Sequence, residues 1–202
     1  MYSGLSIAGP ALFASVDIEK EQNATFYMVA ESFLERIAAR PHPPSLDVLF
    51  AMFGEWSCPE LDLRLGTPGI VEVKAGRNGA GLRATCIIPF TGDADWLFYS
   101  ARTWPPMQPV RGFVARSTRR DSLDTLILAV DLDHDYKAWA GVALQAELAR
   151  VRHNLSLLAL MPERINDGFY IRAQYLASHM QRVWTTRSHR DHRAFTTRKP
   201  VL

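Results

Sequence analysis

The stretch Gly69–Phe90, GIVEVKAGRNGAGLRATCIIPF, decides the fold. Its opening alternates apolar and polar residues, which puts Glu72 and Lys74 on one side of a strand and Val71 and Val73 on the other. GRNGAG then supplies three glycines and an asparagine, the composition of a hairpin turn. LRATCIIPF follows and is rich in strand formers. Strand, turn, strand with no helix between them means antiparallel pairing. Outward from there the pattern repeats. ELDLRL precedes it, and WLFYSA, VRGFVARS and TLILAVDL follow, with TGD, WPPMQP and TRRDS as breaks. About six short strands in succession predict an antiparallel sheet.

Helical periodicity flanks the sheet. In IEKEQNATFYMVAESFLERIAARP, Phe26, Val29, Ala30, Phe33, Leu34 and Ile37 fall on one face, and Pro41 ends the run. Ser45 is placed to cap a short helix, LDVLFAMF. From Asp135 the pattern is helical again. Leu144, Leu148, Val151, Leu155 and Leu158 form a heptad seam. MPERINDG is expected to break it, and a second helix carries Phe169, Arg172 or Ala173, Leu176, Met180 and Val183. Folding back would bury the two seams against each other. The expected class is α+β: N-terminal helices, an antiparallel sheet of about six strands and a C-terminal two-helix hairpin. The expected division is an α+β body over 1–134, the hairpin over 135–184 and a basic flexible tail over 185–202.

The chain has 202 residues and a net charge of +2, with 48% hydrophobic and 22% charged residues, an ordinary globular composition. The charge is unevenly spread. Arg182 to Lys199 holds six basic residues and one acid, so the remainder carries −3. Two cysteines, Cys58 and Cys86, are too few for a disulfide framework and fit a reducing, cytoplasmic setting. The apolar N-terminal run lacks a basic flank, is interrupted by Pro10 and is too short to span a bilayer, so it reads as a first strand or a docked extended segment, with no membrane partner.

IIPFTGDADWLF, then PP and PVRGFV, then a strand and the helix LQAELARVRHNLSLL, resembles a group of uncharacterised bacterial proteins of similar length. That group has an I-P-x-T-G strand end, a Pro-Pro segment, a strand pair and a C-terminal helical arm. The resemblance covers roughly residues 80–184 as a pattern. It implies no catalytic residue, and it suggests a place in a multi-protein system such as phage defence.

Among candidate sites the Glu-x-Lys comes first. Metal-dependent nucleases of the PD-(D/E)-x-K type hold Mg²⁺ between an Asp on one strand and a Glu on the next, with the Lys orienting the attacking water. Asp62, Glu72 and Lys74 have that spacing, and Glu31 or Glu35 offers a further ligand. The strand after Lys74 argues against that fold and for a solvated strand face. DLDHDY (Asp131–Tyr136) lacks the Gly and Glu of a calcium loop, so Asp133 or Asp135 is expected to cap a helix. His189 and His192, three apart, lack the further ligands of a metal set. Trp96, Phe98, Tyr99, Arg102 and Trp104 crowd one segment, as a stacking surface or as core.

The favoured reading is non-enzymatic: a cytoplasmic bacterial interaction or regulatory protein that binds a protein partner or itself through the hairpin and the aromatic segment, with no cofactor. One alternative is the Mg²⁺-dependent nuclease on Asp62, Glu72 and Lys74. Another is a nucleic-acid binder using residues 185–202, with Arg187, Arg190 and Arg193 as phosphate contacts.

Overall fold

The computed structural model describes residues 5–38, 44–54, 56–75, 81–103, 105–117 and 123–196. The chain is mixed α and β and divides into two compact units. Unit 1 takes residues 1–21 and 60–161, and unit 2 takes residues 22–59 and 162–202.

Unit 1 opens with three short strands, β1 (Leu5–Ala8), β2 (Ala11–Leu12) and β3 (Val16–Asp17). Past residue 59 come β4 (Arg64–Leu65), β5 (Glu72–Ala75), β6 (Leu82–Thr91), β7 (Tyr99–Ser100), β8 (Val110–Arg111), β9 (Phe113–Ala115) and β10 (Asp124–Leu132). The main sheet has six strands, with β6 and β10 paired antiparallel over nine residues, from Leu82↔Leu132 to Phe90↔Asp124. β1 and β9 pair with β10, while β4 and β5 pair with opposite ends of β6. Two small sheets, β2 with β8 and β3 with β7, fasten the N-terminal segment. The apolar start of the chain is thus used as strands, and β5 and β6 form the expected hairpin. Its turn, GRNGAG, lies outside the described residues except for Gly81.

Alternation makes one face of the sheet apolar. Ala84, Cys86, Ile88 and Phe90 of β6 are buried beside Leu126, Leu128, Val130 and Leu132 of β10. A helix, α3, lies on the sheet, packing on both β6 and β10; two other helices, introduced with unit 2, precede it in the chain. It spans Ala140–Leu158, after a 3-10 turn at His134–Trp139. All five seam residues, Leu144, Leu148, Val151, Leu155 and Leu158, are buried within unit 1.

Unit 2 is helical: α1 (Ile18–Ala38, of which residues 22–38 belong here), α2 (Leu46–Gly54) and α4 (Met161–Thr196). Asp17 caps α1 by accepting from the Lys20 amide at 3.2 Å, and Ser45 caps α2, its hydroxyl accepting from the Val48 amide at 3.3 Å. Phe26 of α1 stacks on Phe169 of α4 at 4.9 Å, and Trp56 meets Phe169 edge-on at 4.2 Å. Ala30, Phe33, Leu49, Ala173 and Ala177 form a second core. Small alanines on α4 let α1 and α2 approach closely. Asn166 pins the segment before Pro59 to α4, accepting from the Cys58 amide at 2.7 Å.

Three expectations change. MPERINDG does not break the helix: Pro162 sits in the first turn of α4, where no intrahelical donor is lost, and the interruption is only Ala159–Leu160. The residues expected to face one another across a hairpin each find partners in their own unit, the α3 seam on the sheet and Phe169 and Ala173 on α1 and α2. Finally, residues 185–196 are helical where an irregular tail was expected. No Pro or Gly lies between Gly168 and Pro200, and the Thr185 and Thr186 hydroxyls bond back to the carbonyls of Gln181 and Arg182.

Candidate functional site

Glu72 and Lys74 stand side by side on β5, as strand alternation requires. Lys74 Nζ lies 2.6 Å from Glu72 Oε2, and the Lys74 and Glu72 side chains are 76% and 55% exposed. The hydrogen bond from Lys74, and then its charge, hold the Glu72 carboxyl below its ordinary value. Asp62 is elsewhere. Glu72 pairs with Thr85, whereas Arg64 pairs with Thr91 at the other end of β6. Six residues of strand separate these positions, about 20 Å at 3.3 Å per residue. Asp62 lies beyond Arg64 and is occupied, its Oδ1 accepting from the Asp93 amide at 3.1 Å. An ion bound by both carboxylates needs them within about 4–5 Å. Asp62 and Glu72 therefore do not form a shared Mg²⁺ site. Among the described residues no group of three His, Cys, Asp or Glu side chains is placed to hold a metal.

The aromatic segment divides. Trp96 is buried in a 3-10 turn, Ala94–Leu97, and meets the half-buried Tyr99 edge-on at 5.5 Å. Asp93 caps that turn, accepting from the Asp95 amide at 2.9 Å. The backbone carbonyls of Leu97 and Phe98 receive the amides of Phe13, Ser15 and Val16. This segment is a dock for the N-terminal strands. Arg102 is 88% exposed and 3.9 Å from Asp17, and Trp104 lies outside the described residues.

Of the two acids of DLDHDY expected to cap the following helix, Asp133 is described, and the side chain of Asp135 lies outside the described residues. Asp131 forms a two-point ion pair across the strands with Arg83, at 2.6 and 2.9 Å. Asp133 occupies the cap position of the following 3-10 turn, but its side chain makes no capping bond.

α3 carries two buried polar residues in its seam. Asn154 closes a paired contact with the backbone of Gln108, accepting at 2.9 Å and donating at 2.8 Å. Glu147, 4% exposed, pairs with Arg150 through Oε1 and leaves Oε2 without a partner. Burial raises its carboxyl above the ordinary value, and Arg150 offsets that only in part.

A cleft of about 440 Å³ runs between α3 and the Pro68–Val71 loop, with Cys86, Leu144 and Leu148 at its apolar wall and Gln145 and Arg152 at its rim. The loop is held along β6 by the Gly66 and Gly69 amides, which donate to the carbonyls of Pro89 and Ile87 at 2.7 and 2.8 Å. Cys86 is unbridged, and burial raises its thiol. Cys58 in unit 2 is likewise free and is pushed up to about 11 by burial. Neither thiol is a ready nucleophile.

Unit 2 presents two apolar faces to solvent. On α1, Met28 is exposed opposite Phe26, Ala30 and Phe33, with Glu31 and Glu35 beside it, and Tyr27 is exposed at the flank, edge-on to Phe26 at 5.7 Å. On α4, Ile171 and Tyr175 are each 66% exposed. His179 stacks on Tyr175 at 6.4 Å, and Arg182, seven residues after Tyr175, continues the face. Arg187, Arg190 and Arg193 follow within the same helix.

The chain matches no protein-family model, no curated protein and no solved structure.

The outer face of α4 is hard to read in the sequence because the helix carries two apolar stripes, and that of α1 because Met28 stands among Glu31 and Glu35. Val29 and Val183 were assigned to the core and are exposed. The available signal is a second four-residue spacing, Ile171, Tyr175, His179, out of phase with Phe169, Ala173, Ala177.

Proposed function

We propose that the protein is a non-enzymatic interaction module of the bacterial cytoplasm, and that it binds a protein partner or itself through the helices of unit 2. The observation that carries this is the pair of exposed apolar faces on α1 and α4, set opposite a well-packed core. Isolated surface apolar residues are ordinary, but Ile171 and Tyr175, one turn apart on one helix and both 66% exposed, form a patch of the kind interfaces use. The aromatic segment contributes little to such a surface because Trp96 is buried. No helix of the described residues is long and apolar enough to cross a membrane.

The test replaces Ile171 and Tyr175 together by Ser. A partner that co-purifies with the wild type should be lost, and the same partner, purified separately, should bind the wild type and not the variant. A variant that keeps the partner moves the interface elsewhere. Cleavage of DNA or RNA with Mg²⁺ or Mn²⁺, abolished by Lys74→Ala, would replace this reading with a nuclease.

A second reading, nucleic-acid binding, draws on the helical continuation of α4 through Arg187, Arg190 and Arg193. A bound oligonucleotide would dissociate with a log–log salt slope of about −0.7 per phosphate on single strands.

A further inference from the structure

The two outer faces of unit 2 differ in charge. On α1, Met28 is flanked by Glu31 and Glu35, three and seven residues on, so the three share one side of the helix. On α4, Ile171 and Tyr175 are followed by Arg182, seven residues after Tyr175 and so on the same side. One face is apolar and acidic, and the other is apolar and basic. They cannot pair within one chain. α1 and α4 already pack together through Phe26 on Phe169, and Arg172 of α4 bonds Asn23 of α1. Met28 lies opposite Phe26 and Ala30 on its helix, and Tyr175 opposite Ala173 and Ala177 on its own. The complementary faces therefore point away from each other.

We propose that unit 2 associates head to tail with a second copy of this chain, the Ile171–Tyr175–Arg182 face of α4 seating on the Met28–Glu31–Glu35 face of the neighbour's α1. This rests on the interaction reading above and names the partner. Ile171 and Tyr175 favour a partner with an apolar side chain over a nucleic acid, and Arg182 selects acidic flanks; α1 supplies both in Met28 and in Glu31 and Glu35. Because the two faces are different, the contact is heterologous. One copy of a pair keeps its α1 face free and the other its α4 face, so growth continues to rings or filaments. Two crossing helices bury less than about 1,200 Å², so association is weak and depends on concentration.

The test uses the full chain in sedimentation equilibrium, from about 1 to about 300 µM and from about 0.05 to about 1 M salt. The wild type should rise from 22.7 kDa through dimer to larger species with concentration, and return toward monomer in high salt. Two variants separate the faces: Glu31→Lys with Glu35→Lys, and Ile171→Ser with Tyr175→Ser. All four residues are exposed, and circular dichroism checks that both variants fold. Each alone should be monomeric. Mixed, they should form one 1:1 pair and stop, because only one productive contact remains. A wild type that stays at 22.7 kDa throughout overturns the proposal. So does a wild type that stops at a dimer, a Glu31→Lys/Glu35→Lys variant that still self-associates, or a mixture that stays monomeric. A monomeric wild type whose α4 takes an oligonucleotide or a foreign protein also overturns it, while leaving the broader interaction reading standing.

Discussion

Glu147 is a buried acid with one oxygen paired and one orphaned, and the cost falls on its charged form. The folded-state carboxyl holds its proton to higher pH than the unfolded one does. Through that window the folded state binds more protons, so its stability falls as pH rises from the ordinary glutamate value of about 4.5 through the raised one. Glu147→Gln removes the charge and keeps the shape. Its melting temperature should exceed that of the wild type by about 2–4 °C at pH 7, equivalent to about 1 kcal/mol in a chain of this size. The difference should vanish in melts at about pH 4, where both side chains are neutral. Equal melting temperatures at both values would show that Arg150 fully compensates the charge. Asn154 is the opposite case, fully buried and fully satisfied. Asn154→Ala strands the amide and carbonyl of Gln108 together, and urea unfolding should report a loss of about 2–4 kcal/mol.

At the scale of elements, β6 and α4 organise the two units. β6 carries β4 and β5 at its two ends and β10 along its length, so it fixes where Asp62 and Glu72 fall. α4 presents Phe169 to Phe26 and Trp56. Phe169→Ala should cost about 3–5 kcal/mol in chemical denaturation, while Ile171→Ala, two residues on and exposed, should stay within about 0.5 kcal/mol. The strands and the α3 seam were legible because burial writes a single period into each: two for Ala84, Cys86, Ile88 and Phe90, and heptad for Leu144 to Leu158. The start of α4 at Met161 was not, because Pro162 and Gly168 read as breakers without knowledge of where the first turn lies, nor was its continuation past Trp184, where no apolar period remains. The proposed metal pair also failed on register. A ten-residue separation in sequence is short, but β4 and β5 pair with different ends of one long strand.

For the whole molecule, each unit has its own core, so opening should not be uniform. Amides in the middle of β6 and β10, paired over nine residues and buried on one face, should be the last to exchange with deuterium. Amides of α4 beyond Trp184, where side chains at Thr185 and Thr186 are exposed, should be the first within a described helix. Slower exchange there than in β10 would require a partner covering the helix end. The discontinuity of unit 2 also has a meaning during synthesis. Residues 22–59 leave the ribosome early, but their core is completed by Phe169, Ala173 and Ala177, more than a hundred residues later. At about 5–20 residues per second, Phe26 and Phe33 wait on the order of 10 s without their packing partners. Over that interval α1 is a client for nascent-chain chaperones, and a chain interrupted before α4 leaves its apolar side open to aggregation.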